Sequence, residues 1–128
     1  MNRMFTQFRL GLEKRMVDLY CVAAIGASGA PTISATLSKG VASIVRNSTG
    51  KYTVTLQDKY VDCMSVIPTF VLAAGTPAAV GGMVVRSKVV SSGTPTVVVE
   101  FLNGAGAAVE LNSGATLSLK LELKASTV

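Results

Sequence analysis

The chain has 128 residues and a net charge of +5, from twelve Lys and Arg against seven Asp and Glu. Hydrophobic residues make up 49% and charged ones 15%, which excludes a disordered chain and allows one domain with a modest core that needs no metal or disulfide. Histidine is absent, which removes Ser-His-Asp and Cys-His nucleophilic sites, His-bearing metal centres and the commonest general base.

Residues 1–20 differ in texture from the remainder. They hold no proline, only Gly11, and apolar side chains at Met1, Met4, Phe5, Phe8, Leu12, Met16 and Tyr20. Spacing of three to four residues predicts an apolar stripe on a helix. Gly11 weakens that helix by about 1 kcal/mol relative to alanine, which leaves an extended arm as the alternative. Two placements follow: a helix on the domain's own sheet, or an arm reaching a neighbouring subunit. The expected division is therefore an N-terminal arm or helix at 1–20 and a β-sandwich domain at 21–128.

From Cys21 onward the chain turns to Ala, Gly, Val, Ser and Thr. Cys21–Ile25 reads as a short strand, 26–31 as a Gly/Pro loop, and 33–37 as a weak strand. Two β-prone runs then flank Asn47-Ser48-Thr49-Gly50. In the second run Tyr52, Val54 and Leu56 share one face while Lys51, Thr53, Thr55 and Gln57 share the other. A polar break at 57–59 precedes a longer strand within 60–73, where Pro68 predicts a bulge or an edge position. A loop at 75–82, a strand at 83–90, a turn at 91–95 and a strand at 96–103 come next. In the last strand Leu117, Leu119, Leu121 and Leu123 alternate with Ser118, Lys120, Glu122 and Lys124, the pattern of an antiparallel strand with one wet face. Short strands separated by turn signals predict an all-β fold, an antiparallel β-sandwich or a jelly-roll-like barrel.

No segment is long and apolar enough to read as a spanning helix, and the run at 20–25 does not have the layout of a leader peptide. Cys21 and Cys63 sit among apolar neighbours and read as two buried free thiols rather than a disulfide or a zinc site. Basic residues are scattered, without the dense stripe and interleaved aromatics of a nucleic-acid surface.

Catalytic constellations are equally sparse. Asp58 and Asp62 are the nearest carboxylate pair in the body of the chain, but Lys59 stands between them and solvated turn positions explain both. Gly26-Ala27-Ser28-Gly29 and Gly104-Ala105-Gly106 lack the Lys-Ser/Thr of a phosphate loop and read as turns. Asn47-Ser48-Thr49 matches a glycosylation acceptor and is more simply a turn. The residues call for no cofactor, no metal and no enzyme activity.

Gly40-Val41-Ala42-Ser43-Ile44-Val45-Arg46 followed by Gly50-Lys51-Tyr52-Thr53-Val54-Thr55-Leu56 resembles a G-x-Y-T-V-T-rich pattern of small structural proteins of tailed-bacteriophage virions. Phe101-Leu102-Asn103-Gly104-Ala105-Gly106-Ala107-Ala108 is similar to an aromatic-Asn-x-x-Gly-x-Ala turn of the same proteins. The resemblance covers residues 30–124. It implies a non-enzymatic capsid decoration, or cement, protein on the phage head surface, a homotrimer that binds the major capsid protein and bridges capsomers. Under that reading Met4, Phe5, Phe8 and Leu12 would anchor the partner-binding arm, with Arg9 and Arg15 as cationic rim contacts to an acidic capsid surface. Two other readings share much of this pattern: a tail-fibre or baseplate β module, and a carbohydrate-binding module, which the absence of Trp disfavours.

Overall fold

The computed structural model describes residues 16–72 and 80–125. Eight strands run β1 (Met16–Ile25), β2 (Pro31–Ile33), β3 (Val41–Ser48), β4 (Lys51–Leu56), β5 (Asp62–Val71), β6 (Gly82–Val89), β7 (Thr96–Leu102) and β8 (Thr116–Lys124). They form two four-stranded sheets, β2-β1-β8-β5 and β3-β4-β7-β6, in which every strand pairing is antiparallel. The chain is thus a β-sandwich, the first of the two architectures expected.

The strongest sequence pattern lies at the centre of the first sheet. Leu117, Leu119, Leu121 and Leu123 of β8 are all fully buried, and β8 is flanked by β1 on one side and β5 on the other. The facing layer is built by the alternation already visible in β4 and β7. Tyr52, Val54 and Leu56 point inward with Val97, Val99 and Phe101. Three aromatic rings meet edge-to-face: Phe101 lies 5.8 Å from Tyr52 and 5.3 Å from Phe70 between centroids. Such T-shaped pairs align the positive ring edge with the negative face and add about 0.5–1.5 kcal/mol beyond area burial.

The N-terminal boundary differs from expectation. Met16–Tyr20, assigned from the sequence to a helical stripe or arm, are strand residues paired with Lys124–Lys120 of β8. Val17, Leu19, Cys21, Ala23 and Ile25 also alternate, and this period-2 pattern prevails because nine residues of β1 zip onto β8. Tyr20, on the supposed apolar stripe, is 42% exposed on the outer face. The weak strand at 33–37 is likewise displaced: β2 is Pro31–Ile33, and Ser34–Leu37 turns away from the sheet. The remaining part of the arm, including Met4, Phe5, Phe8, Arg9, Leu12 and Arg15, lies outside the described residues.

Both cysteines are free and buried, as their surroundings predicted. Burial raises both thiols above their ordinary pKa, Cys21 to about 11, so each stays protonated at neutral pH. Pro68 falls in β5, an edge strand of its sheet, in keeping with the missing backbone donor of proline.

Leu119 has no exposed surface and a partner strand on each side, so Leu119→Ala is expected to cost about 2–5 kcal/mol. Leu119→Lys, which buries an unpaired cation, should abolish cooperative unfolding altogether. Urea denaturation of the two variants followed by circular dichroism checks both outcomes.

Candidate binding surface

Among the described residues, polar clusters stand at one end of the sandwich, on a sheet face and beside an open cleft. The first closes one end of the domain. Arg46, at the end of β3, donates to both carboxylate oxygens of Glu110, with Nε 3.0 Å from Oε1 and a second bond from Nη2 to Oε2. The Gly50 amide donates to the same carboxylate at 3.3 Å. Beside them the buried Tyr52 hydroxyl donates to the Gly29 carbonyl at 2.7 Å. Burial pushes that phenol up to about 12, so it remains a donor at physiological pH. Gly50 has φ +66°, and a Cβ there would sit 2.9 Å from the Phe101 carbonyl oxygen and closer still to that of Val109. Glycine is required on both counts. This cluster ties the Gly26–Ala30 loop, the β3–β4 turn and the 103–111 loop together.

The turn at Asn103 follows the same logic. Asn103 Oδ1 accepts from the Ala105 and Ala107 amides at 2.9 and 3.1 Å, and Gly106 takes φ +83°. Here the Asn-x-x-Gly spacing is turn chemistry: the side chain supplies the acceptor and glycine supplies the left-handed backbone.

The second cluster lies on the outer face of the other sheet. Arg86 binds Glu100 through two contacts, 3.1 and 3.3 Å, and Lys51 approaches the same carboxylate at 3.6 Å. The Arg86 hydrogen bonds hold Glu100 below its ordinary pKa, keeping it ionised beside two cations.

The third cluster borders the cleft. β5 and β6 are edge strands of opposite sheets. Lys88 bridges them, with Nζ 2.8 Å from Asp62 Oδ1 and 2.9 Å from the Cys63 carbonyl oxygen. Each strand carries a bulge here, between Cys63 and Ser65 and between Val85 and Ser87. The opening holds about 390 Å³ and is lined by Cys63–Val66 and Val85–Lys88. Two exposed apolar side chains are in its lining: Met64 and Val85 are 54% and 42% exposed. Ile67 and Val71 are also exposed, on the outer face of the sheet opposite Lys120 and Thr116 of β8.

The sequence-selected chemistry does not assemble into a reactive centre. Asp58 sits in the turn after β4, and Asp62 is held below its ordinary pKa first by the Lys88 hydrogen bond, which makes it an ion-pair member rather than a proton donor. Among the described residues no group of three His, Cys, Asp or Glu side chains comes together. The cleft itself was not singled out from the sequence. Its signal was present in Asp62–Leu72, where apolar residues occupy both faces of a strand that proline places at an edge.

The Arg46 hydrogen bond holds Glu110 below its ordinary pKa of 4.5. A depressed folded-state pKa stabilises the fold above the unfolded value, and that contribution is lost as pH falls through the folded one. The melting temperature should therefore decline below about pH 4.5. Glu110→Gln should melt lower at pH 7 and lose less on acidification, as thermal scans between pH 7 and 3 would show.

Comparison with protein-family models, with curated proteins and with solved structures gave no match.

Proposed function

We propose that this chain is a non-enzymatic structural protein of a tailed-phage virion that binds the outside of the capsid and reinforces it by bridging capsomers. The observation that carries this reading is the concentration of exposed apolar side chains along β5 and β6 on an otherwise well-packed sandwich. Met64, Ile67, Val71, Val85 and Val89 are all exposed on these two edge strands, Met64 and Val85 at the cleft between them, and such a concentration supports an interaction surface. The virion-type motifs add to it. Both occur where this fold uses them as scaffold, the first in the β3–β4 hairpin and the second in the Asn103 turn. A sandwich resists shear because its strands are cross-linked by two layers of backbone hydrogen bonds, which suits a part that opposes outward pressure.

Under this reading the major capsid protein is the partner, copies of the chain associate as a homotrimer, and the N-terminal arm joins each copy to its neighbour. Met4, Phe5, Phe8 and Leu12 supply that arm's apolar anchors, and Arg9 and Arg15 its cationic rim. Multiplicity then raises avidity without demanding a tight single contact.

Antibody labelling of virions that contain the chain tests the location. Label on head surfaces is the expected outcome, and label confined to tails would overturn the capsid reading in favour of a tail-fibre or baseplate module. Removal of residues 1–12 leaves all eight strands intact in sequence, so the shortened chain should keep its circular dichroism spectrum and lose binding to undecorated heads.

A further inference from the structure

The cleft between β5 and β6 combines apolar lining from Cys63, Met64, Val66 and Val85 with edges that are poorly suited to accepting a strand. An added strand needs a regular row of backbone donors and acceptors. β5 interrupts that row with the bulge at Met64 and with Pro68, which has no N–H, while β6 interrupts it with the bulge at Arg86. Lys88 also reaches across the gap to the Cys63 carbonyl. What remains available is side-chain surface, and the secondary structure that presents side chains to a groove without using backbone is a helix.

The chain carries one segment with the matching pattern. Met1, Met4, Phe5, Phe8 and Leu12 recur at helical spacing. Wound as a helix, Met4 to Leu12 would span about 12 Å, and the four lining residues on each edge of the cleft extend about 13 Å along their strands. The cations at the cleft do not oppose a basic segment strongly, because Arg86 and Lys88 are already matched by Glu100 and Asp62.

The direction of β1 decides which copy supplies the segment. β1 and β5 are each antiparallel to β8 and so run the same way, with Met16, Lys124 and Asp62 side by side at one end of the sheet. β1 therefore begins at the end of the cleft marked by Asp62 and Cys63. Folding back into the cleft of the same copy needs a reversal within Leu12-Glu13-Lys14-Arg15, which contains no Gly, Pro, Asn or Asp to make one. A neighbouring copy beyond that end needs no reversal.

We propose that residues 1–12 of one copy occupy the β5–β6 cleft of a second copy, so that exchanged helices build the oligomer. This rests on the reading that the arm joins copies of the chain, and it names the surface that receives it. The test uses the full chain in two populations. A light chain carries a photoreactive phenylalanine analogue at position 8, and a heavy-nitrogen chain is otherwise unaltered. Irradiation of the mixture followed by mass spectrometry should give light–heavy cross-links that fall within Cys63–Val66 or Val85–Lys88. The variant Met64→Lys/Val85→Lys should lose those cross-links and self-associate about tenfold or more weakly in sedimentation. Its thermal melt should stay within a few degrees of the parent, since both side chains are exposed.

Cross-links confined to light chains, cross-links elsewhere on the sandwich, a monomeric parent, or unchanged association in the charged variant would each overturn the proposal. Binding to phage heads is scored separately. An oligomer built through the cleft that fails to bind heads refutes the capsid reading alone. Heads bound equally well by the charged variant, with its association intact, refute the exchanged helix alone.

Discussion

The fold depends on the inward row of leucines on β8. Because β8 is the strand that joins β1 to β5, loss of that row would remove the buried face shared by both neighbours. The four leucines share one core with the Tyr52, Phe101 and Phe70 rings, which meet edge-to-face. Each fully buried leucine contributes about 1.5–3 kcal/mol. Backbone hydrogen bonding alone, at about 0.5–1.5 kcal/mol net for each bond, would not offset the entropy of ordering eight strands and their loops. Burial of this one row therefore decides the order in which other features matter.

The second dependence is local and polar. The sandwich has ends where loops cross, and those loops carry carbonyls and amides that need partners. Tyr52 links core and end in one residue: its ring packs on Phe101 while its hydroxyl satisfies Gly29. Glu110 does the same for the β3–β4 turn through Arg46 and the Gly50 amide. These contacts fix the turns in place, so the glycine-rich stretches serve here as closed turns of the scaffold.

Strand identity was readable wherever one face is buried and the other wet. The leucines of β8 and the Tyr52-Val54-Leu56 set obey that condition, and both faces came out as the alternation requires. The reading failed where two periods coincide. Met16–Tyr20 satisfies a helical spacing through Met16 and Tyr20 and a strand spacing through Val17 and Leu19. Only the long-range pairing with β8 separates them, and local sequence carries no information about that pairing. The Arg46–Glu110 contact was hidden for the same reason, since 64 residues separate its partners. The cleft was hidden differently. Its residues read as ordinary strand, and their exposure follows from the positions of β5 and β6 at the edges of two sheets.

Edge position also explains how an apolar surface can be tolerated there. A flat apolar edge with free backbone groups would template aggregation. β5 and β6 avoid this by breaking the backbone row with Pro68, two bulges and the Lys88 bridge. A surface treated in this way rejects indiscriminate strand addition and still offers area to a partner of defined shape. Selectivity of that kind has no role in a wall facing only water. It is what the proposed assembly would require, because each copy would have to join its intended neighbour and refuse the edge-to-edge stacking that its own sheets would otherwise invite.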